Sequence, residues 1–191
     1  MTSSRPSLES LSSEEAWKLL ETAEEVCSAA SVSEAVMRVA HEITVRLART
    51  RPLILSVMGG AVVFTGQLLP RLRFPLEFDY VHVSRYGRGT QGGEITWQVR
   101  PKETIAGRTV LVLDDILDEG ETLAAVRERI LEGGAQTFYS AVLADKDIGR
   151  PKPIAADFVG VRVPDRYVFG FGMDAHGFWR NLPAIYALKA T

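Results

Sequence analysis

Short apolar runs alternate with amphipathic stretches along the chain, and the alternation predicts its elements. Ser12, Ser13, Glu14 and Glu15 read as a capped helix start, so a helix is expected over about 13–29. Ser31 or Ser33 caps a second helix over about 33–49, with Ala35, Val36, Val39, Ile43 and Leu47 facing inward. PLILSVM at 52–58 predicts a core strand that ends at Gly59 and Gly60 and feeds a helix over 61–69. LEFDYVHV at 76–83 alternates and predicts another strand. A polar segment at 84–93 with four glycines follows, then a returning strand at 94–99. VLVL at 110–113 is apolar and partly β-branched, the pattern of a strand buried on both faces of a parallel sheet. Leu123, Val126, Ile130 and Leu131 then keep helical spacing from Glu121 to about Glu132. Strands are predicted at 137–144 and 157–163, a turn at Pro164 and Asp165, and an extended segment at 167–169. The fold class is α/β with a mostly parallel sheet.

Composition narrows the classes. The 191 residues suffice for one compact domain. Hydrophobic residues make up 46% and charged ones 24%, as in ordinary globular proteins. The net charge is −2 and no basic run occurs, which argues against a dedicated nucleic-acid or anionic-membrane binder. The single Cys27 excludes an intrachain disulfide framework and suits a reducing cytoplasm. No apolar run is long enough for a transmembrane helix, and the first residues lack the apolar core of a secretory signal. Cys27 and His41 both read as structural, Cys27 within the first helix and without a basic neighbour to activate it.

The candidate chemistry centres on VLVLDDILDEGETL, residues 110–123. Asp114 and Asp115 follow the strand, then Asp118, Gly120 and the helix start. Ligands of open α/β sheets sit beyond the carboxyl ends of the strands. A glycine turn feeding a helix N-terminus offers backbone N–H groups to a phosphate. Adjacent carboxylates suit vicinal hydroxyls or hydrated Mg²⁺ instead. Phosphate at one end and diol at the other describe a ribose 5-phosphate. No G-x-x-x-x-G-K-[ST] motif occurs, and no G-x-G-x-x-G both follows a strand with an acid downstream and opens a helix, so the P-loop and dinucleotide readings lack their fingerprints. The alternative is a solvated acidic loop.

VLVLDDILDEGET closely resembles the phosphoribosyl-pyrophosphate (PRPP) signature of type I phosphoribosyltransferases. LADKD at 143–147, DFVGVRVPDRYVFGFGMD at 157–174 and FWRNL at 178–182 resemble the purine half of the hypoxanthine-guanine phosphoribosyltransferases. The resemblance covers residues 30 to 189 and implies that family's fold: a mostly parallel central sheet flanked by helices, with a small hood and an N-terminal helical extension. It implies one domain: a tail at 1–12, helices at 13–50, a core at 51–175 with a mobile lid at 84–100, and a purine-binding hood at 157–191.

The resemblance also implies residue roles. Asp114 and Asp115 bind the ribose hydroxyls directly or through Mg²⁺, and Asp118 is the general acid/base near purine N7. Glu119, Gly120, Glu121 and Thr122 hold the 5′-phosphate, while Met58, Gly59 and Arg180 meet pyrophosphate. Met58 stands where the family often carries a lysine. Lys146 contacts the purine O6, Tyr167 stacks on the base, and the backbone of Val168 reads its edge. From the residues alone, Lys146 reads rather as an ion-pair partner of Asp145 or Asp147. Asp174 holds the Mg²⁺ bound to pyrophosphate. The lid carries Arg85 and Tyr86 where the family has a Ser/Thr-Tyr pair; Ser84 lies one residue earlier.

The implied activity is purine salvage in the cytoplasm by a homo-oligomer. It transfers ribose 5-phosphate from PRPP to hypoxanthine or guanine, giving IMP or GMP, without nucleic-acid or membrane partners. A PRPP- or nucleotide-sensing regulator on the same fold, and an enzyme for xanthine, are the alternatives.

Overall fold

The computed structural model describes residues 11–85, 95–101 and 104–189. The elements in order are α1 (Ser13–Thr22), β1 (Glu24–Cys27), α2 (Ala29–Leu47), β2 (Leu53–Met58), α3 (Val62–Leu68), a 3₁₀ turn (Leu69–Arg71), β3 (Glu77–Arg85) and β4 (Ile95–Val99). Then come β5 (Thr109–Leu117), α4 (Glu121–Glu132), β6 (Thr137–Asp147), β7 (Phe158–Pro164), β8 (Val168–Phe169) and β9 (Ile185–Ala187). One sheet has the order β4-β3-β2-β5-β6-β7, parallel except for β4 at its edge. A smaller antiparallel sheet has the order β1-β9-β8.

The strand at the centre is buried on both faces, as its apolar run requires. Leu111 and Leu113 pack with Val36, Val39 and Ile43 of α2 and Phe64 of α3. Val110 and Val112 face the other way, towards Leu123, Val126 and Ile130 of α4. Helices therefore cover both faces, as a parallel sheet demands. Ser56 of β2 is buried but satisfied, its hydroxyl 2.8 Å from that of Thr65.

Several boundaries differ from expectation. The first helix ends at Thr22, whose hydroxyl folds back onto the Lys18 carbonyl. Residues 24–27 form β1, because Glu24 and Glu25 pair with Ala187 and Tyr186 at the far end of the chain. Cys27 thus lies in a strand, not a helix. Burial, then the nearby Glu25 charge, pushes its thiol pKa up, so it packs rather than reacts. The second helix starts at Ala29, and its cap is Ser28 rather than Ser31 or Ser33; the Ser28 hydroxyl accepts from the Ser31 N–H at 3.2 Å. β5 runs on to Leu117, so Asp114 and Asp115 stand inside the strand instead of after it. β6 likewise reaches Asp147 and carries Lys146. Leu131 is exposed, leaving Leu123, Val126 and Ile130 as the inward face of α4. His41 is exposed on α2. Tyr86 and most of the expected lid lie outside the described residues, as do residues 1–10 of the expected tail.

Candidate active site

β2, β5 and β6 run parallel, so their carboxyl ends meet at one edge of the sheet. A cleft of about 420 Å³ opens there. Asp114, Asp115, Asp118, Glu119, Gly120 and Thr122 line it, with Met58 and Gly60 on one side and Asp174 and Arg180 on the other. The expected phosphate-loop residues thus come together, except that Glu121 and Gly59 are not on its wall. Gly120 has a φ of +86° at the N-cap of α4, and no side-chain cap hydrogen bond is made there. The turn brings Gly120 and Thr122, at the N-terminus of α4, to the wall of the cleft, where the helix dipole suits an anion.

A smaller cavity of about 200 Å³ adjoins the cleft. Lys146, Tyr167, Val168 and Met173 line it, and it shares Asp115, Ile116, Asp118 and Asp174 with the larger one. Lys146 pairs with neither Asp145 nor Asp147. Its ammonium donates to Asp118 Oδ2 at 2.7 Å, at the junction of the two cavities. Asp145 is taken instead by Lys152, whose ammonium lies 2.6 Å from its Oδ1. Nothing in the loop sequence singled out Lys152. Tyr167 is 49% exposed, so it is not a core aromatic. Its ring stacks on His176 at 6.3 Å between centroids, and its hydroxyl donates to the Asp174 carbonyl at 3.1 Å.

Glycines permit the tightest approaches. A Cβ on Gly60 would fall 1.9 Å from Asp115 Oδ2. A Cβ on Gly172, whose φ is +106°, would fall 2.1 Å from the Gly60 carbonyl oxygen. Three segments distant in sequence therefore touch at Asp115. Arg180 completes the wall by pairing with Asp174 and donating to the Gly172 carbonyl at 2.5 Å. The Asp174 carboxylate also accepts from the Gly177 N–H at 2.7 Å.

The paired acids are electrostatically loaded. Burial, then the charge of Asp115, pushes the Asp114 carboxyl well above its usual range. Burial also raises Asp115, while hydrogen bonds and the Arg180 charge pull it part of the way back. Both carboxyls hold protons more readily in the folded than in the unfolded chain. Their contribution to stability is therefore present in acid and is lost as pH rises from the ordinary value of 3.8 through the raised values. Asp114→Asn is expected to raise the melting temperature of the ligand-free protein at neutral pH, with the gain shrinking towards pH 4. Thermal unfolding across that range checks it; a variant less stable at neutral pH would contradict the assignment of a costly buried charge.

Among the described residues, no three or more His, Cys, Asp or Glu side chains gather as a metal cluster. Asp114, Asp115 and Asp174 share one cleft without converging on a point. A second cleft of about 430 Å³, bordered by Trp97, Ile105 and Ile130, carries none of these groups.

Residues 23–176 match the phosphoribosyl transferase domain model. The hypoxanthine-guanine phosphoribosyltransferase of Bacillus subtilis (strain 168) is 36% identical over 159 residues, which cover 83% of this chain and 88% of that protein. The bifunctional protein TilS/HprT of Listeria monocytogenes serotype 4b (strain F2365) is 37% identical over 159 residues, but this chain spans only 24% of its length. A solved hypoxanthine-guanine-xanthine phosphoribosyltransferase superposes with a TM-score of 0.79 at 32% identity, covering 87% of this chain and 97% of that one. A hypoxanthine phosphoribosyltransferase from Staphylococcus aureus gives 0.84 at 26% identity, covering 90% and 95%. With the domain model matching most of the chain and a curated relative matched over 88% of its length, the chain belongs to the phosphoribosyl transferase domain family, in the group of the hypoxanthine-guanine phosphoribosyltransferases.

Proposed function

We propose that this chain transfers the 5-phosphoribosyl group of PRPP to N9 of hypoxanthine or guanine, releasing pyrophosphate and giving IMP or GMP. The observation that carries the reading is the pair of adjoining cavities, one acidic with a helix N-terminus and one aromatic, which share Asp118, the partner of Lys146 on the smaller cavity's wall. The larger suits a sugar phosphate and the smaller a flat base.

The N9–C1′ bond forms as the bond from C1′ to pyrophosphate breaks, and the purine loses a proton. Asp118 stands at the junction, where its carboxylate takes that proton. Lys146 donates to the 6-oxo oxygen and is oriented for it by Asp118. Tyr167 offers its exposed ring to the base, and the backbone of Val168 lies beside the base edge. The first turn of α4, with the Thr122 hydroxyl, holds the 5′-phosphate. Asp114 and Asp115 accept from the ribose hydroxyls, and Met58, Gly59 and Arg180 flank the pyrophosphate. Arg85 and Tyr86 belong to the proposed lid.

The donor set fits Mg²⁺. Burial disfavours the ionised forms of Asp114 and Asp115 unless a cation offsets them, and Asp174 faces the same cleft. Mg²⁺ is commonly held by one or two carboxylates together with phosphate oxygens and water, which needs no three-carboxylate cluster. When bound, Mg²⁺ offsets the negative charge that builds on the leaving pyrophosphate. Chelation is expected to lower turnover of hypoxanthine and guanine by about tenfold or more, with recovery on adding Mg²⁺. A spectrophotometric assay with PRPP checks this, and turnover unaffected by chelation would remove the metal from the account.

A homodimer or tetramer is also proposed. Trp17 in α1, Met37 and Val45 in α2, and Phe78 and Tyr80 in β3 expose apolar area that such an assembly would cover. No helix among the described residues is long and apolar enough to cross a membrane.

A further inference from the structure

β5 and β6 run in register until Leu117 faces Asp145. The next residue on each strand path carries a group of the proposed site: Asp118 after Leu117, and Lys146 after Asp145. The ladder between the two strands therefore stops one residue short of both. On the other flank of β6, Asp147 faces Pro164, which has no N–H to give.

Lys152, in the connection between β6 and β7, spans this gap. Its ammonium donates to the Leu117 carbonyl at 2.7 Å, the Lys146 carbonyl at 2.5 Å and Asp145 Oδ1 at 2.6 Å. An ammonium has three donors, and each has an acceptor here. The side chain is only 11% exposed. Its stem also crosses the turn that opens α4: a Cβ on Gly120 would lie 3.3 Å from Lys152 Cβ. One side chain thus touches the backbone before Asp118, the backbone of Lys146 and the phosphate turn. It lines neither the 420 Å³ cleft nor the 200 Å³ cavity, so it meets neither proposed substrate.

We infer that Lys152 is a positioning residue that sets the separation of Asp118 and Lys146, and with it the placement of the base against the ribose. The inference rests on the proposed function, in which Asp118 takes the proton and Lys146 holds the 6-oxo group. A misplacement of about 1 Å can cost about 10²-fold in rate, so the tie matters although it is remote from the reacting atoms. A neutral residue would leave two carbonyls and a half-buried carboxylate short of a donor.

Lys152→Met keeps the stem against Gly120 and removes all three donated hydrogen bonds. It is expected to lower kcat/KM for hypoxanthine by about 10- to 100-fold. The Kd for PRPP with Mg²⁺, measured by titration calorimetry, is expected to stay within about threefold, because the phosphate turn keeps its packing. A purely structural role would weaken both together, so parallel loss, or unchanged base kinetics, overturns the inference. Should Lys152→Met fail to fold, Lys152→Arg carries the test. It keeps the charge beside Asp145, but a planar fork does not meet three divergent acceptors. Base kcat/KM is then expected to fall at least about threefold with PRPP affinity retained, and unaltered base kinetics overturns the inference. The unsubstituted protein is assayed alongside. If it turns over no purine, the proposed function falls and takes this inference with it; if it does and the variants match it, only the role of Lys152 falls.

Discussion

Asp118→Asn is expected to lower turnover by about 10²- to 10⁴-fold while PRPP still binds. The substitution is nearly isosteric, and the amide oxygen can still accept from Lys146, which lies 2.7 Å from Asp118 Oδ2. What disappears is the ability to take a proton from the purine. The phosphate turn, the ribose acids and Arg180 are untouched, so affinity for PRPP is expected to persist within a few-fold. Steady-state kinetics with hypoxanthine, combined with calorimetric PRPP binding, separates the two effects. Near-normal turnover would rule out the acid/base role, and lost PRPP affinity would move Asp118 from chemistry to binding.

Gly60→Ala is expected to cost about 10²-fold in kcat/KM and about 1–3 kcal/mol in stability. The added methyl would arrive 1.9 Å from Asp115 Oδ2, so that carboxylate must swing away from its hydrogen bond to the Ile116 N–H. The backbone has no easy retreat, because the Gly60 carbonyl is hemmed in at Gly172. Gly66→Ala provides the contrast. Gly66 lies exposed in α3, where a Cβ would meet nothing within 4 Å. Replacement there is expected to stabilise by about 0.5–1 kcal/mol with unchanged kinetics. Denaturant unfolding and kinetics on both variants check the pair. Equal effects at the two glycines would show that the close approach to Asp115 does not matter.

The part of the site built by local order was legible in the sequence. The run 110–123 reads as strand, acids, glycine turn and helix because all of its determinants lie within one strand–turn–helix unit. Lys146 was legible as a residue at a strand end, but its partner was not. Only the register of β5 against β6 brings Asp118, rather than its sequence neighbours, to the ammonium. The small sheet escaped local reading for the same reason: β1 looks like the tail of a helix until Glu24 and Glu25 find Ala187 and Tyr186. The need for glycine at 172 comes from the Gly60 carbonyl, more than a hundred residues away in the chain, so no local pattern announces it. Lys152 left no periodic or motif signal at all, since its three acceptors come from two strands and only converge in the fold. Local chemistry was therefore readable, while the contacts that aim it were set by long-range pairing.

The central claim is transfer of ribose 5-phosphate to a 6-oxopurine. Its most direct test is kcat/KM with PRPP and Mg²⁺ for hypoxanthine, guanine, xanthine and adenine, each measured separately with the nucleotide product identified. Rapid formation of IMP and GMP is predicted, with adenine disfavoured by about 10⁴-fold, because Lys146 would face a 6-amino donor instead of an acceptor. No turnover of hypoxanthine or guanine, alongside measurable binding of PRPP or a purine nucleotide, would contradict the account and leave a nucleotide-sensing protein on the same fold.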